Sequence, residues 1–327
     1  MAPVTGVSFR LSPPGSLVNT SAEAAPAASS PLVRAALLMV ASAVLFGFMA
    51  VTIRLASRQL HAFEIAFFRS LFGAIFALPL LLHHGSTVLR TDKFLFYVMR
   101  CCIGIVSMLA GFWAIVHLPL AQAVSLSYST PLFVTIGAVV FLGETVRLRR
   151  WSAVLIGFAG VLIIVRPGAD SFSAAALVAL LAAAMSGTVA ISIKFLSRTE
   201  HPDAIVLITS FLWVVLSLPP ALLYWEWPNP MSWLWVILAG GFGTVAHLCW
   251  TRALKLGEVS ALTPLSFLQL PVVVFAGYFL FEERLDIWTA VGAGVIVASN
   301  VYIAHREARL ARRQTTDPDV AAGSANS

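Results

Sequence analysis

Four side chains that carry charge or titrate stand inside otherwise apolar stretches of this sequence: Glu64, Arg69, Arg100 and His247. A basic or acidic residue at the centre of a membrane helix costs about 2.5–3.5 kcal/mol on insertion scales, so such residues face a water-filled space or a partner. Arg69 and Arg100 each have two readings. One is a cationic wall that meets a substrate carboxylate or phosphate. The other is structural, an Arg bonded to helix carbonyls or snorkelling to an interface. Glu64 precedes Arg69 by five residues. It either pairs with a base, binds an amine or carries a coupling proton, or it starts a helix, where an acid suits the dipole. His247 titrates near physiological pH, which makes it a candidate proton carrier. A neutral His bonded to a neighbouring helix is the structural alternative.

Uncharged polar residues form a second group. Gln122, Ser125 and Ser129 share one helical face by the i, i+3, i+4 rule, with Tyr128 beside them. Pro131 follows and is expected to interrupt the helix. Thr263, Pro264, Ser266, Gln269 and Pro271 make a similar stretch later in the chain. Paired Pro-interrupted segments at corresponding places are the best sequence pointer to a transport site, while small polar residues also serve helix–helix packing. The aromatics Phe46, Trp113, Tyr128 and Trp250 could stack on a planar or cationic substrate. The three cysteines, Cys101, Cys102 and Cys249, form no CxxC and suggest no metal. No GxxxxGK[ST], GxSxG or HExxH string occurs, so neither an ATP site nor two common enzyme signatures are present. No catalytic residue and no cofactor are expected. An intramembrane enzyme and a channel are the rival classes.

The elements that must position these residues are membrane spans. The chain has 327 residues, 59% hydrophobic and only 11% charged, where a soluble domain is about a quarter charged. Its mean hydropathy is +0.89. The net charge of +6 is spread over short loops, which argues against a nucleic-acid partner and for positive cytoplasmic loops beside lipid. A span needs about 20 apolar residues. The expected spans are Leu32–Leu55, Ala62–Leu82, Phe94–Val116, Leu120–Leu142, Trp151–Val165, Ser173–Leu196, Ala204–Tyr224, Ser232–Ala253, Val259–Phe281 and Ile287–Ala304. With the N-terminus inside, fifteen of the 21 Lys and Arg fall on the cytoplasmic side and four outside (Arg54, Arg58, Arg166 and Arg284). Both termini are therefore expected in the cytoplasm. Residues 1–31, rich in Pro, Ser and Ala, read as a disordered cytoplasmic tail without a signal peptide. Residues 306–327 read as a basic cytoplasmic tail.

The two halves repeat. GFMAVTIRLASR (Gly47–Arg58) matches GTVAISIKFLSR (Gly187–Arg198), with Arg54 against Lys194, and WSAVLIG (Trp151–Gly157) matches WTAVGAG (Trp288–Gly294). Pro131 precedes Glu144 much as Pro271 precedes Glu283. Both glutamates read as structural, bonding loop groups of the helix that follows. Five spans per repeat, an odd number, turn the second copy over in the membrane. The expected fold is thus an all-α membrane protein of ten transmembrane helices in two inverted five-helix repeats, residues 32–168 and 172–305. In such proteins the site lies near the midplane between repeats.

FFRSLFG (Phe67–Gly73), LPLAQAVSLSYSTPLF (Leu118–Phe133), FLGETVRLRRW (Phe141–Trp151), GFAGVLIIVRPG (Gly157–Gly168) and GYFLFEERLD (Gly277–Asp286) carry a family likeness. The chain resembles EamA-type members of the drug/metabolite transporter superfamily over about Leu32–Arg306. Within it, LHAFEIAFFR (Leu60–Arg69) and the spacing to Arg100 are similar to bacterial S-adenosylmethionine uptake transporters. Riboflavin and aromatic amino-acid carriers share the plan. The resemblance implies a secondary transporter of a small organic metabolite in the bacterial inner membrane. It implies a cavity between spans one, three, four, six, eight and nine. A proton is the candidate coupling ion, and monomer and homodimer both stay open.

Overall fold

A computed structural model describes residues 31–84, 91–142, 148–169, 172–196, 202–256 and 259–316. The described residues form twelve helical segments. They are α1 (Pro31–Ala56), α2 (Ala62–His84), α3 (Phe94–His117), α4 (Leu120–Ser127), α5 (Thr130–Leu142), α6 (Leu148–Val165), α7 (Ala174–Leu196), α8 (Pro202–Leu222), α9 (Pro230–Leu256), α10 (Val259–Ser266), α11 (Gln269–Phe281) and α12 (Ile287–Thr316). The pairs α4/α5 and α10/α11 each make one interrupted crossing, so the ten expected spans are all present. Eight crossings are long and apolar enough to span a membrane by length and composition, and Trp151–Val165 and Leu207–Leu222 are shorter. All but one residue of the N-terminal tail, together with Gly143–Arg147 and hence Glu144, lies outside the described residues. Helix α12 runs on to Thr316 through the basic segment expected from residue 306.

The chain is helical because lipid cannot satisfy backbone N–H and C=O groups, so each apolar run must bond within itself. Its surface follows the same rule. Leu95 (82% exposed), Leu223 (77%) and Phe279 (70%) stand fully open, as suits side chains that meet acyl tails. Small residues set the helix spacing. A Cβ on Gly47 of α1 would meet the Val272 side chain of α11 at 2.7 Å, and one on Gly187 of α7 would meet Phe133 of α5 at 3.1 Å. The two glycines that align in the repeat thus make equivalent contacts.

The packing repeats as well. Helix α1 lies along α9 and α3 along α7, while α6 packs on α12 and α2 on α8. Exchanging the halves maps this pattern onto itself, as inverted repeats require. The face carrying the α1–α2, α3–α4, α6–α7, α8–α9 and α11–α12 turns is called outer, following the charge count.

Candidate transport site

The two interrupted crossings meet. Helix α4 ends at Ser127 and α5 begins at Thr130, with the Tyr128 and Ser129 N–H groups bonding back to Ser125 and Leu126 at 3.2 and 3.0 Å. Pro131 has no N–H to extend the ladder, so the break falls where the sequence places it. In the second repeat α10 ends at Ser266 and α11 begins at Gln269. Across the breaks, the Tyr128 ring lies 4.8 Å from Phe267, and its hydroxyl donates to the Ser266 carbonyl at 3.2 Å. Gln269 Oε1 is 3.5 Å from the same hydroxyl. Asn300 of α12 donates to the Tyr128 carbonyl at 2.7 Å, so a third helix fixes the break. The Ser125 and Ser129 hydroxyls are buried and donate to the carbonyls of Ala121 and Leu126.

A second group gathers where α1, α2, α8 and α9 approach. Phe46 sits edge-on to His247, with centroids 4.9 Å apart. Arg69 is 8% exposed, and its guanidinium carbon lies 5.8 Å from the Trp213 ring centroid. Its Nε has no hydrogen-bond partner among the described residues. His247 and Trp250 are both exposed. At about 100° per residue they point to the opposite side of α9 from Leu234, Val245 and Arg252, so they open inward rather than to lipid.

Arg100 lies beside this group, one turn from Trp213 through its Thr209 partner, and the remaining expected site residues are placed elsewhere. Arg100 is 4% exposed and donates to Thr209 Oγ1 at 2.7 Å. Glu64 is fully buried at the outer end of α2, where it accepts from the backbone N–H groups of His61 and Glu226 at 3.0 and 2.6 Å. Its carboxylate starts α2 and ties down the α8–α9 loop. Trp113 stacks on His117 at 3.9 Å near the outer end of α3. Gln122 lines an outer cavity of about 280 Å³ together with His117, Arg166, Glu283 and Asp286.

That cavity is bounded by ion pairs between repeats. Arg54 of α1 meets Glu283 at 3.0 Å and also donates to the Ile115 and Val116 carbonyls at the end of α3. Glu283 Oε2 accepts from the Leu120 N–H at 2.7 Å, at the start of α4. Arg166, with φ 48°, meets Asp286 at 2.6 Å. Glu283 is therefore structural as expected, but its partners lie in the other repeat rather than in α12. The left-handed Glu282, φ 56°, turns the chain at the end of α11 so that Glu283 faces back across the interface. The charge count alone places Arg54 at the outer face. Its alignment with Lys194 was the signal that marked it.

Residues 33–166 and 173–304 each match the EamA-like transporter family. The chain is 28% identical over 256 residues to an S-adenosylmethionine uptake transporter of Rickettsia conorii, covering 78% of this chain and 87% of that protein. A riboflavin transporter of Brucella anthropi is 31% identical over 256 residues, covering 76% and 89%. One crystal structure superposes with a TM-score of 0.61 at 21% identity, covering 84% of this chain and 97% of that one; this likeness concerns the fold alone.

Proposed function

The chain belongs to the EamA-like transporter family, and on that premise we propose that it carries a small organic metabolite across the bacterial inner membrane by alternating access. It is a transporter rather than an enzyme. The two EamA units form the moving halves, and both termini lie in the cytoplasm. The observation that carries this reading is an outer clamp between the repeats beside an interior that exposes polar and aromatic side chains. The outer ends are clamped across the repeats by Arg54–Glu283 and Arg166–Asp286, while His247 and Trp250 are exposed on the inward side of α9. Outer ends joined across the repeats are one state of a carrier, and substrate shifts the balance between this state and one in which they part.

The substrate space lies between α1, α3, α4/α5, α7, α9 and α10/α11. Phe46, Tyr128, Gln269, His247, Trp250 and Arg69 line it from the inside. Gln122 and Trp113 stand on the outer approach, Ser125 and Ser129 shape the α4/α5 break, and Arg100 and Glu64 hold α3 and α2. His247 is the candidate for a coupling proton. The favoured cargo is S-adenosylmethionine-like or amino-acid-like. Aromatic rings at Phe46 and Tyr128 suit a flat ring equally, which supports riboflavin-type import or export of aromatic amino acids or drugs as the second reading.

Uptake of labelled S-adenosylmethionine by inverted and right-side-out vesicles tests this, with unlabelled riboflavin and amino acids as competitors. Saturable uptake, competed by unlabelled substrate, is expected in one orientation. Arg69→Gln should abolish flux while folded protein stays in the membrane. Undiminished flux in that variant would take Arg69 out of the site.

A further inference from the structure

Three buried donors in one region have no acceptor among the described residues: Arg69 Nε, Trp213 Nε1 and Arg100 Nε. They form a row. Arg100 bonds Thr209, and Thr209 is one turn before Trp213 on α8. On α3, Gly104 is one turn after Arg100, and a Cβ there would meet Trp213 Nε1 at 3.2 Å. Helices α3 and α8 therefore run in register, 100 beside 209 and 104 beside 213, and the Arg69 guanidinium lies against the Trp213 ring from α2. Two glycines make room for the row. Gly104 lets the indole lie on the α3 backbone. On α9, a Cβ at Gly243 would meet Arg69 Nη2 at 2.9 Å and Nε at 3.2 Å, so the guanidinium lies against α9, one turn from His247.

A structural arginine inside a membrane protein bonds to carbonyls or to an acid, because a buried charge without a partner is costly. The buried Arg69 Nε meets no hydrogen-bond acceptor among the described residues. Glu64 is the acid nearest to it in sequence on α2, and its carboxylate is taken by two backbone N–H groups at the outer end. The row thus offers positive charge and N–H donors and no counter-charge. Guanidinium and indole N–H groups suit the oxygens of an anion, and a guanidinium binds them two at a time.

Resting on the transport reading above, we propose that this row seats an oxyanion carried by the substrate, a carboxylate or phosphate, while the rest of the molecule lies toward His247, Phe46 and Tyr128. Substrates of this chain are then anionic at one end. The oxyanion supplies the charge that Arg69 lacks, and its departure leaves Arg69 unpaired, which favours release of one state and return to the other.

The test uses two matched pairs on the purified full chain: S-adenosylmethionine against its decarboxylated form, and riboflavin against riboflavin 5′-phosphate. Thermal unfolding in detergent is followed with each. The member of at least one pair that bears the carboxylate or phosphate (the anionic member) should raise Tm, and its partner should not. Arg69→Met should abolish that shift and should itself hold or raise the ligand-free Tm, since it removes an unpaired charge. Trp213→Phe keeps the ring and removes one donor, and should weaken binding of the anionic member by about tenfold, as loss of a hydrogen bond to a charged group does. Equal shifts from both members of a pair, or a lower ligand-free Tm for Arg69→Met, would overturn the proposal. So would a shift given equally by sulfate alone, which would mark the row as a site for an inorganic ion. Proteoliposome flux separates the two ideas. Transport of only the non-anionic member sinks this inference and leaves the carrier reading standing, whereas no flux of any metabolite sinks the carrier reading itself.

Discussion

At the scale of residues, the outer surface has one titratable group whose environment is legible. His61 sits in the α1–α2 turn, stacked on Tyr224 at 3.9 Å, and its Nδ1 accepts from the Phe63 N–H at 3.3 Å. Partial burial, and to a lesser degree the nearby His117, lower its pKa from the usual 6.5. The neutral ring is thus the form that the fold favours. Its contribution is present above about pH 6.5 and is lost as pH falls through the depressed value. Emission from the outer tryptophans, followed between pH 7.5 and 5, should report loosening of the α8–α9 loop on acidification. His61→Asn should flatten that response, and an unchanged profile in the variant would assign the effect to another group.

Two devices stand out at the scale of elements. Helices α6 and α12 cross at a pair of glycines: a Cβ on Gly160 would meet the Gly292 carbonyl at 2.8 Å, and one on Gly292 would meet Ile164 at 2.5 Å. Close approach through small residues is how helices associate without a hydrophobic driving force. Gly292→Val should force the pair apart and destabilise the detergent-solubilised protein by about 1–3 kcal/mol, the usual range for overpacking. A Tm equal to wild type would show that the helices can part freely. The second device is the Arg54–Glu283 pair, whose side chains are 21% and 17% exposed. At that exposure removing the pair is worth about 1 kcal/mol, roughly a fivefold shift between states. Val124 lies one turn below the Leu120 N–H held by Glu283, and it is 4% exposed. In a background without the three native cysteines, Val124→Cys should react several-fold faster with an impermeant maleimide added outside when Glu283→Gln is also present. Equal rates with and without Glu283→Gln would mean that this pair does not hold the outer face shut.

At the scale of the whole molecule, exchange of the two halves preserves the main helix pairings. A structure of this kind reaches its opposite state by remaking equivalent contacts rather than by unfolding. Among the described residues, the ion pairs Arg54–Glu283 and Arg166–Asp286 join the repeats at the outer face. In the aligned repeats Arg54 corresponds to Lys194 and Glu283 to Glu144, and Gly143–Arg147 lies outside the described residues. Alternating access also has a kinetic signature. Labelled substrate should enter proteoliposomes faster when unlabelled substrate is inside, and no single-channel current should appear. Uptake unaffected by trans substrate, together with unitary currents, would favour a channel.

Much of this protein follows from sequence alone because lipid removes the ambiguity that water leaves. With backbone groups unable to find water, hydrophobic length decides the helices, and each of the ten expected crossings is present, with α12 running on past its expected end to Thr316. The odd number of spans in each repeat set the inversion, and the prolines at 131 and 271 marked the two broken crossings. Which intramembrane residues meet was a different matter. Nothing in periodicity brings Arg69 to Trp213, or Arg54 of the first repeat to Glu283 of the second, because these contacts join positions more than a hundred residues apart. Glu64, Arg69 and Arg100 look alike in a hydropathy trace. Only the packing separates them: Glu64 is bound by two backbone N–H groups, Arg100 by a threonine, and the buried Arg69 Nε by no acceptor among the described residues. Burial and partnership depend on how helices distant in sequence come together, so tertiary structure alone decided which buried nitrogen was left without an acceptor among the described residues.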